Sequence, residues 1–373
     1  MVANPTLFYI IITPMTKDSS FGGQKQTKQN EMKRLFTLIV AMCSIIAAMA
    51  QFPMATVSHN GELTQFTGLH ALDDALDASK VGDVIYLSEG TFSSGNTDKG
   101  IKYGVSVVGC GYNTKLLGSY GVLMNDDNWD ITMDTPWLDG VNVDRLGLRD
   151  EAHYDGNRKF LEIRNCWIGK LDYGGHAAKN FYINSCFIDD AGFSGLNEYR
   201  DDNKETRNVY INNSKIRNLG RFSDYIITTN CNISVAEHCP RIVESCIIEG
   251  SQEENGKLRT WWNGTHVINN SLFPSAAFVS SEYDDNYPQD GTSINNCYFE
   301  NPANGLLDEN LNATIDLQAK GYLGQDGTII GAYGGETPFS ELPSVPSIDS
   351  EKSSVEYDAP SKKLNVTITV AKD

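Results

Sequence analysis

The sequence predicts an all-β solenoid, a chain wound into stacked turns around one core, on three observations. The first is an eight-residue unit that keeps returning: LEIRNCWI (161–168), FYINSCFI (181–188), VYINNSKI (209–216), RIVESCII (241–248), HVINNSLF (266–273) and TSINNCYF (292–299). The second is a pair of apolar columns within it. Position three reads Ile163, Ile183, Ile211, Val243, Ile268, Ile294, and position eight reads Ile168, Ile188, Ile216, Ile248, Phe273, Phe299. The third is the pair of small columns between them: Asn165, Ser185, Asn213, Ser245, Asn270, Asn296, each followed by Cys or Ser.

Two apolar columns five residues apart point to opposite faces of a straight strand. Both are buried only if the chain turns a corner between them. The Asn/Ser column sits at that corner, and asparagine is the non-glycine residue that best tolerates a left-handed backbone. Each unit therefore reads as strand, one-residue corner, strand. An earlier copy is read at VNVDRLGL (141–148), with Val143, Leu146 and Leu148 in the buried columns. From Leu146 the sixth position recurs at spacings of 20, 20, 28, 32, 25 and 26 residues. A fixed minimum with variable excess describes a coil of constant circumference carrying loops of free length.

Leucine-rich repeats share this period, but their Leu consensus and far-side helix are missing. The Ile-x-Asn-Asn/Cys-x-Ile/Phe pattern instead resembles the right-handed parallel β-helix of the pectate-lyase-like superfamily, over roughly residues 62 to 335. Near the N-terminus, GDVIYLSEGTF (82–92) and GVSVVGCGYNTKL (104–116) resemble that superfamily's first two coils.

The 373 residues fit one solenoid. The formal charge of −18 disfavours nucleic acid and anionic membrane as partners. Of eight cysteines, four occupy the sixth column and read as a ladder of small buried thiols. Cys166 and Cys186 are within disulfide reach across adjacent turns. Cys231 and Cys239, read as part of an insertion, are the better disulfide candidates in an oxidising compartment. With no Cys-x-x-Cys in the chain, no zinc site is expected, and no metal is assigned.

In order along the chain, residues 1–31 read as an upstream mis-start before Met32. Residues 32–50, MKRLFTLIVAMCSIIAAMA, read as a signal peptide ending in a small-x-small cleavage site before Gln51. Export to the periplasm, cell surface or medium follows, with no membrane span after processing. Residues 51–81 are assigned to an N-terminal cap. Within it, Glu62–Ala78 is expected to be an amphipathic helix, with Phe66, Leu69, Leu72, Ala75 and Leu76 on one face, plugging the open end of the coil. Residues 82–335 are assigned to the β-helix, with excursions at 190–208, 217–240, 249–265 and 274–291. Residues 336–373 hold a Pro-containing linker and a short β tail in which Leu364, Val366, Ile368 and Val370 alternate with polar residues.

All the excursions leave after the second strand of a unit, so they are expected on one side of the coil, where functional loops concentrate. The resemblance implies a carbohydrate, in particular a uronate-containing polysaccharide, bound along that side. Arg200, Arg217, Arg221 and Arg259 could each grip a uronate carboxylate. Tyr173 or His176 could abstract the proton next to it, as in a polysaccharide lyase. Trp261-Trp262 offers an aromatic plane for a pyranose ring. Arg200, Arg221, Trp261 and Trp262 are taken as the substrate-binding set.

Neither Trp-x-Asp-His nor Arg-x-Pro-x-x-Arg, strings of that superfamily's enzymes, occurs here. No cofactor is expected; the acidic pairs Asp189-Asp190, Asp201-Asp202 and Asp284-Asp285 leave calcium open without a specific motif. A row after the sixth column, Trp167, Phe187, Ile247, Leu272 and Tyr298, interrupted by Lys215, is expected to face outward and to need a cover or a partner. The expected molecule is a monomeric, exported, glycan-binding β-helix protein, with lyase activity more in keeping than hydrolysis. The alternative is a non-catalytic structural or adhesive surface protein.

Overall fold

The computed structural model describes residues 52–94, 100–102, 104–124, 137–150, 162–175, 181–192, 209–220, 226–252, 257–258, 266–279 and 293–340. In the tail it describes 347–348, 354–358, 363–367 and 370–371. The fold is a parallel β-helix. One sheet of twelve strands and another of eleven run side by side, and successive units of the sequence add successive strands to each. Strand Glu162–Arg164 pairs in parallel with Phe181–Asn184, which pairs with Val209–Asn212. Across the corner, Trp167–Gly175 pairs with Phe187–Gly192, which pairs with Lys215–Leu219.

The corner has the expected conformation. Asn165, Ser185, Asn213, Asn230, Ser245, Asn270 and Asn296 all have positive φ between 47° and 55°. One left-handed residue per turn swings the chain and reverses the parity of burial, so positions three and eight both enter the core. Ile163, Ile183, Ile211, Ile216 and Ile248 are fully buried there, with the thiols of Cys166, Cys186 and Cys246 beside them.

The register corrects two readings of the repeat. Ile163 pairs with Leu138 and Ile168 with Val143, so the earliest copy is WLDGVNV (137–143), with Gly140 at the corner (φ 62°) and Val141 in the thiol column. The stretch 217–240 is not a simple excursion. It holds a complete coil, Ile226–Thr229 then Asn232–Ala236, inserted between the coils of Ile211 and Val243. Its third position is Thr228 where an apolar residue was required; the hydroxyl stays in the core by donating to the Ile242 carbonyl at 3.2 Å. The shortest turn is therefore Cys231 to Cys246, 15 residues. Cys231 stands in the thiol column; it and Cys239 are buried and are not joined in a disulfide.

The N-terminal cap is built differently from the expected long helix. Met54–His59 and Glu62–Thr67 form an antiparallel hairpin, and helix α1 spans only Ala71–Ala78. Asn60-Gly61, with φ of 49° and 85°, supplies the two left-handed residues of a tight hairpin turn. Gly68, at φ 110°, then separates strand from helix. Leu69, placed inside by helical periodicity, is 49% exposed, and Leu63, in the second strand of the hairpin, is 66% exposed. Helix α1 buries Ala71, Leu72, Ala75 and Leu76 in the same core as Ile85 and Phe92 of the first coil.

The last parallel strands are Ser293–Asn295 and Tyr298–Phe299. The assigned solenoid ran on to 335, but residues 301–340 form no further coil. They fold back along the outside of the second sheet as a cover. Leu306, Leu307, Leu311, Leu317 and Ile330 pack on Ile247, Leu272, Phe187 and Tyr298. In the tail, Ser354–Asp358 pairs with Lys363–Thr367 and Ser347–Ile348 with Val370–Ala371, both antiparallel.

Candidate functional site

The outward row after the thiol column is held by the cover through backbone groups as well as apolar contacts. Asn232 donates from Nδ2 to the Leu311 carbonyl (2.7 Å) and accepts at Oδ1 from the Ala332 N–H (3.0 Å). Asn213, a corner residue, donates to the carbonyls of Gly334 (2.6 Å) and Ala332 (3.3 Å). The Glu249 carboxylate accepts from the Leu306 N–H at 2.8 Å.

Lys215 was expected to face solvent, and its position in the row is as read, but it is 1% exposed. Its ammonium donates to Asn312 Oδ1 and to the Tyr333 hydroxyl, both at 2.8 Å, and lies over the rings of Tyr333 and Phe339 at 4.9 and 4.6 Å. A buried ammonium is tolerable only when its donors are satisfied. Of the two outcomes expected for this row, a cover or a partner, the structure shows a cover, and the row is an intramolecular joint.

The connections that carry the excursions begin and end on one flank. Six consecutive connections run from the end of a second-sheet strand to the start of the next first-sheet strand: 175 to 181, 192 to 209, 219 to 226, 236 to 242, 251 to 267 and 273 to 293. Their ends stack rung on rung at about 4.8 Å. Tyr173 belongs to the strand Trp167–Gly175, opposite Leu148. His176, Arg200, Arg221, Arg259, Trp261 and Trp262 lie outside the described residues, as do Asp201-Asp202 and Asp284-Asp285.

Beside that flank, several of the second sheet's described charges are engaged with each other. Arg217 donates from Nε to Asp189 at 3.1 Å, with its guanidinium over the Phe187 ring at 5.7 Å and a further contact to the Glu309 carbonyl. Arg145 pairs with Asp172, and Lys170 lies 3.5 Å from Asp172 and 3.9 Å from Asp190. Arg217 is thus a half-exposed ion pair; such pairs contribute about 0–1 kcal/mol and are easily rearranged. Among the described residues, no cluster of three or more His, Cys, Asp or Glu is arranged to hold a metal ion. Burial pushes the Cys186 and Cys231 thiols well up, so they are neutral core groups rather than nucleophiles.

The first sheet presents a surface not anticipated from the sequence. Tyr182 and Tyr210, at the second position of adjacent units, stack with ring centroids 4.9 Å apart and planes 8° from parallel, and Tyr182 is 39% exposed. Two rows over, side-chain amides form ladders. Asn212 donates to Asn184 Oδ1 (2.9 Å), and Asn184 to Glu162 Oε1 (2.8 Å). Asn295 donates to Asn269 Oδ1 and Asn269 to Glu244 Oε2, both at 2.9 Å. The signal was present in the second and fourth columns, which were not read as columns of their own.

Fold and surface together define the class: a parallel β-helix protein with a capped N-terminal end, one covered sheet and one flank of excursions. Among the described residues, no helix is long and apolar enough to cross a membrane. Comparison with family models, with curated proteins and with solved structures returned no match.

Proposed function

We propose that this chain is an exported, pectate-lyase-like β-helix protein that binds a glycan along the flank carrying its excursions. The observation that carries the reading is topological: connections that hold Arg200, Arg221, Trp261 and Trp262 all begin and end on one flank. In a chain of formal charge −18, basic residues gathered there provide a local site for an acidic sugar, and the tryptophans provide planes for its rings. Tyr173 and His176, at the end of one such strand and just beyond it, are the candidates for proton abstraction if the bound uronate is cleaved. The reading needs no cofactor and treats residues 32–50 as a leader removed before Gln51.

A second reading has its own support. Arg217, a basic residue beside the flank, is engaged with Asp189 rather than free, as in a rigid surface spacer that cleaves nothing. Screening the chain against acidic and neutral polysaccharides, with binding and new unsaturated chain ends read together, separates the two. Replacing Trp261 and Trp262 with Ala is expected to cost about 1–3 kcal/mol of binding, by analogy with aromatic stacking on flat ligands. Arg221→Ala should weaken only acidic sugars, and more at low salt than at high salt. Binding to no glycan, or binding that survives loss of both Trp and both Arg residues, leaves the spacer reading.

A further inference from the structure

A lysine amine and an asparagine side-chain amide hold the atoms of a further amide bond. The bond forms when the two are kept together out of water, because the amine stays beside the carbonyl carbon and hydrolysis does not compete. Lys215 and Asn312 are 97 residues apart in the chain, yet Lys215 Nζ donates to Asn312 Oδ1 at 2.8 Å. The amide carbon Cγ is one C=O bond, about 1.23 Å, from that oxygen and so within about 4 Å of Nζ. Lys215 is 1% exposed, enclosed by the rings of Tyr333 and Phe339.

Two more groups touch the atoms that would react. The Tyr333 hydroxyl accepts from Lys215 Nζ at 2.8 Å and donates to Asn312 Oδ1 at 3.0 Å, so it bridges the amine and the carbonyl oxygen. On the far side of the amide, Asn312 Nδ2 donates to Asp308 Oδ2 at 3.1 Å. The N–H groups of Asn310 and Asn312 donate to Asp308 Oδ1 at 2.9 and 2.8 Å and hold the carboxylate in place. Both hydrogen-bond partners of Lys215 are neutral groups, and Asp308 sits on the amide nitrogen instead. A joint built for stability alone would put that carboxylate on the ammonium.

We propose that Lys215 and Asn312 of this chain join in an isopeptide bond that ties the cover 301–340 to the second sheet. The Nζ lone pair forms the bond to Cγ as the Tyr333 hydroxyl relays one ammonium proton to Oδ1. A second Nζ proton moves to Nδ2, and the Cγ–Nδ2 bond breaks with its electron pair on the departing nitrogen. The proton on Oδ1 passes to that ammonia as the carbonyl reforms. One ammonium is consumed and one ammonium ion leaves; nothing is oxidised or reduced. The Asp308 carboxylate stabilises the positive charge that Nδ2 carries before it departs.

The product closes a covalent ring through the 97 residues between the two side chains, so the cover stays on the sheet even when its hydrogen bonds open. The bond is independent of what the flank binds. Any substitution of Lys215 removes it alike, so differences between such variants still report the buried charge.

The test uses the full chain, sampled at intervals after synthesis, digested with protease and mapped by mass spectrometry. The unaltered chain is expected to yield one branched peptide joining the segments of Lys215 and Asn312, lighter by one ammonia than the two together. Asn312→Ala should abolish it, and Tyr333→Phe and Asp308→Ala should form it about a hundredfold more slowly. Separate Lys215 and Asn312 peptides from the unaltered chain overturn the proposal. So does ammonia lost within the Asn312 peptide alone, the mark of a succinimide. Unchanged rates in Tyr333→Phe and Asp308→Ala overturn the mechanism. If a variant does not fold, the digest of the unaltered chain decides.

Discussion

The joint at Lys215 gives a sharp test, because the sequence pattern and the structure disagree about its outcome. Read as an outward position in an alternating strand, Lys215→Asp would be almost silent. In the structure the side chain is enclosed by the cover, with its ammonium on Asn312 Oδ1 and the Tyr333 hydroxyl and beneath two aromatic rings. An aspartate there places a carboxylate against the faces of Tyr333 and Phe339, whose quadrupoles repel it, with no cation to replace Lys215. Leaving an uncompensated charge in a buried pair costs about 3–5 kcal/mol. Lys215→Met should cost far less: an isosteric apolar chain fills the space, and the Tyr333 hydroxyl still donates to Asn312 Oδ1 at 3.0 Å. Lys215→Ala should fall between them, losing the stem's packing and charge-assisted hydrogen bonds worth about 1.5–3 kcal/mol. The assay is the denaturant midpoint of the three variants at constant m-value, with hydrogen exchange at 306–334 as the local readout. An Asp variant as stable as the Met variant would refute the joint and return Lys215 to solvent.

Two further outcomes follow from particular contacts. Ile211, fully buried between Ile183 and Thr228 in the register, should be intolerant of aspartate, with a loss of at least about 4 kcal/mol; a variant that melts with the parent protein would disprove the register. Asp308 accepts the Asn312 and Asn310 N–H groups, first among them Asn312, which holds its carboxyl below the ordinary value of 3.8. A depressed carboxylate contributes stability that is full above the unfolded value and lost as pH falls through the folded one. The cover should therefore loosen on the acid side of 3.8, and Asp308→Asn should flatten that part of the stability profile; identical acid limbs in both proteins would remove Asp308 from the account.

Local chemistry determined what the sequence alone could reveal. A left-handed Asn or Ser between two apolar columns specifies a corner because few residues tolerate that backbone, and the corner fixes which side chains enter the core. Fold class and the buried Ile columns followed from that. The coil at 226–236 escaped notice because its third residue is Thr228, polar by type and satisfied only by a carbonyl on the next turn. The Asn60-Gly61 turn was legible, but the apolar spacing around it also fitted a helix, and pairing with Met54–His59 decided in favour of a strand. The flank of excursions was legible from connection order, and Tyr173 stands at its edge, while the Tyr182–Tyr210 stack requires two columns to be brought into register. The fate of Lys215 and the apolar row around it rested wholly on tertiary structure. Whether an outward side chain meets water depends on what folds over it, and here the cover comes from Asn312, Tyr333 and Phe339, about a hundred residues further along the chain.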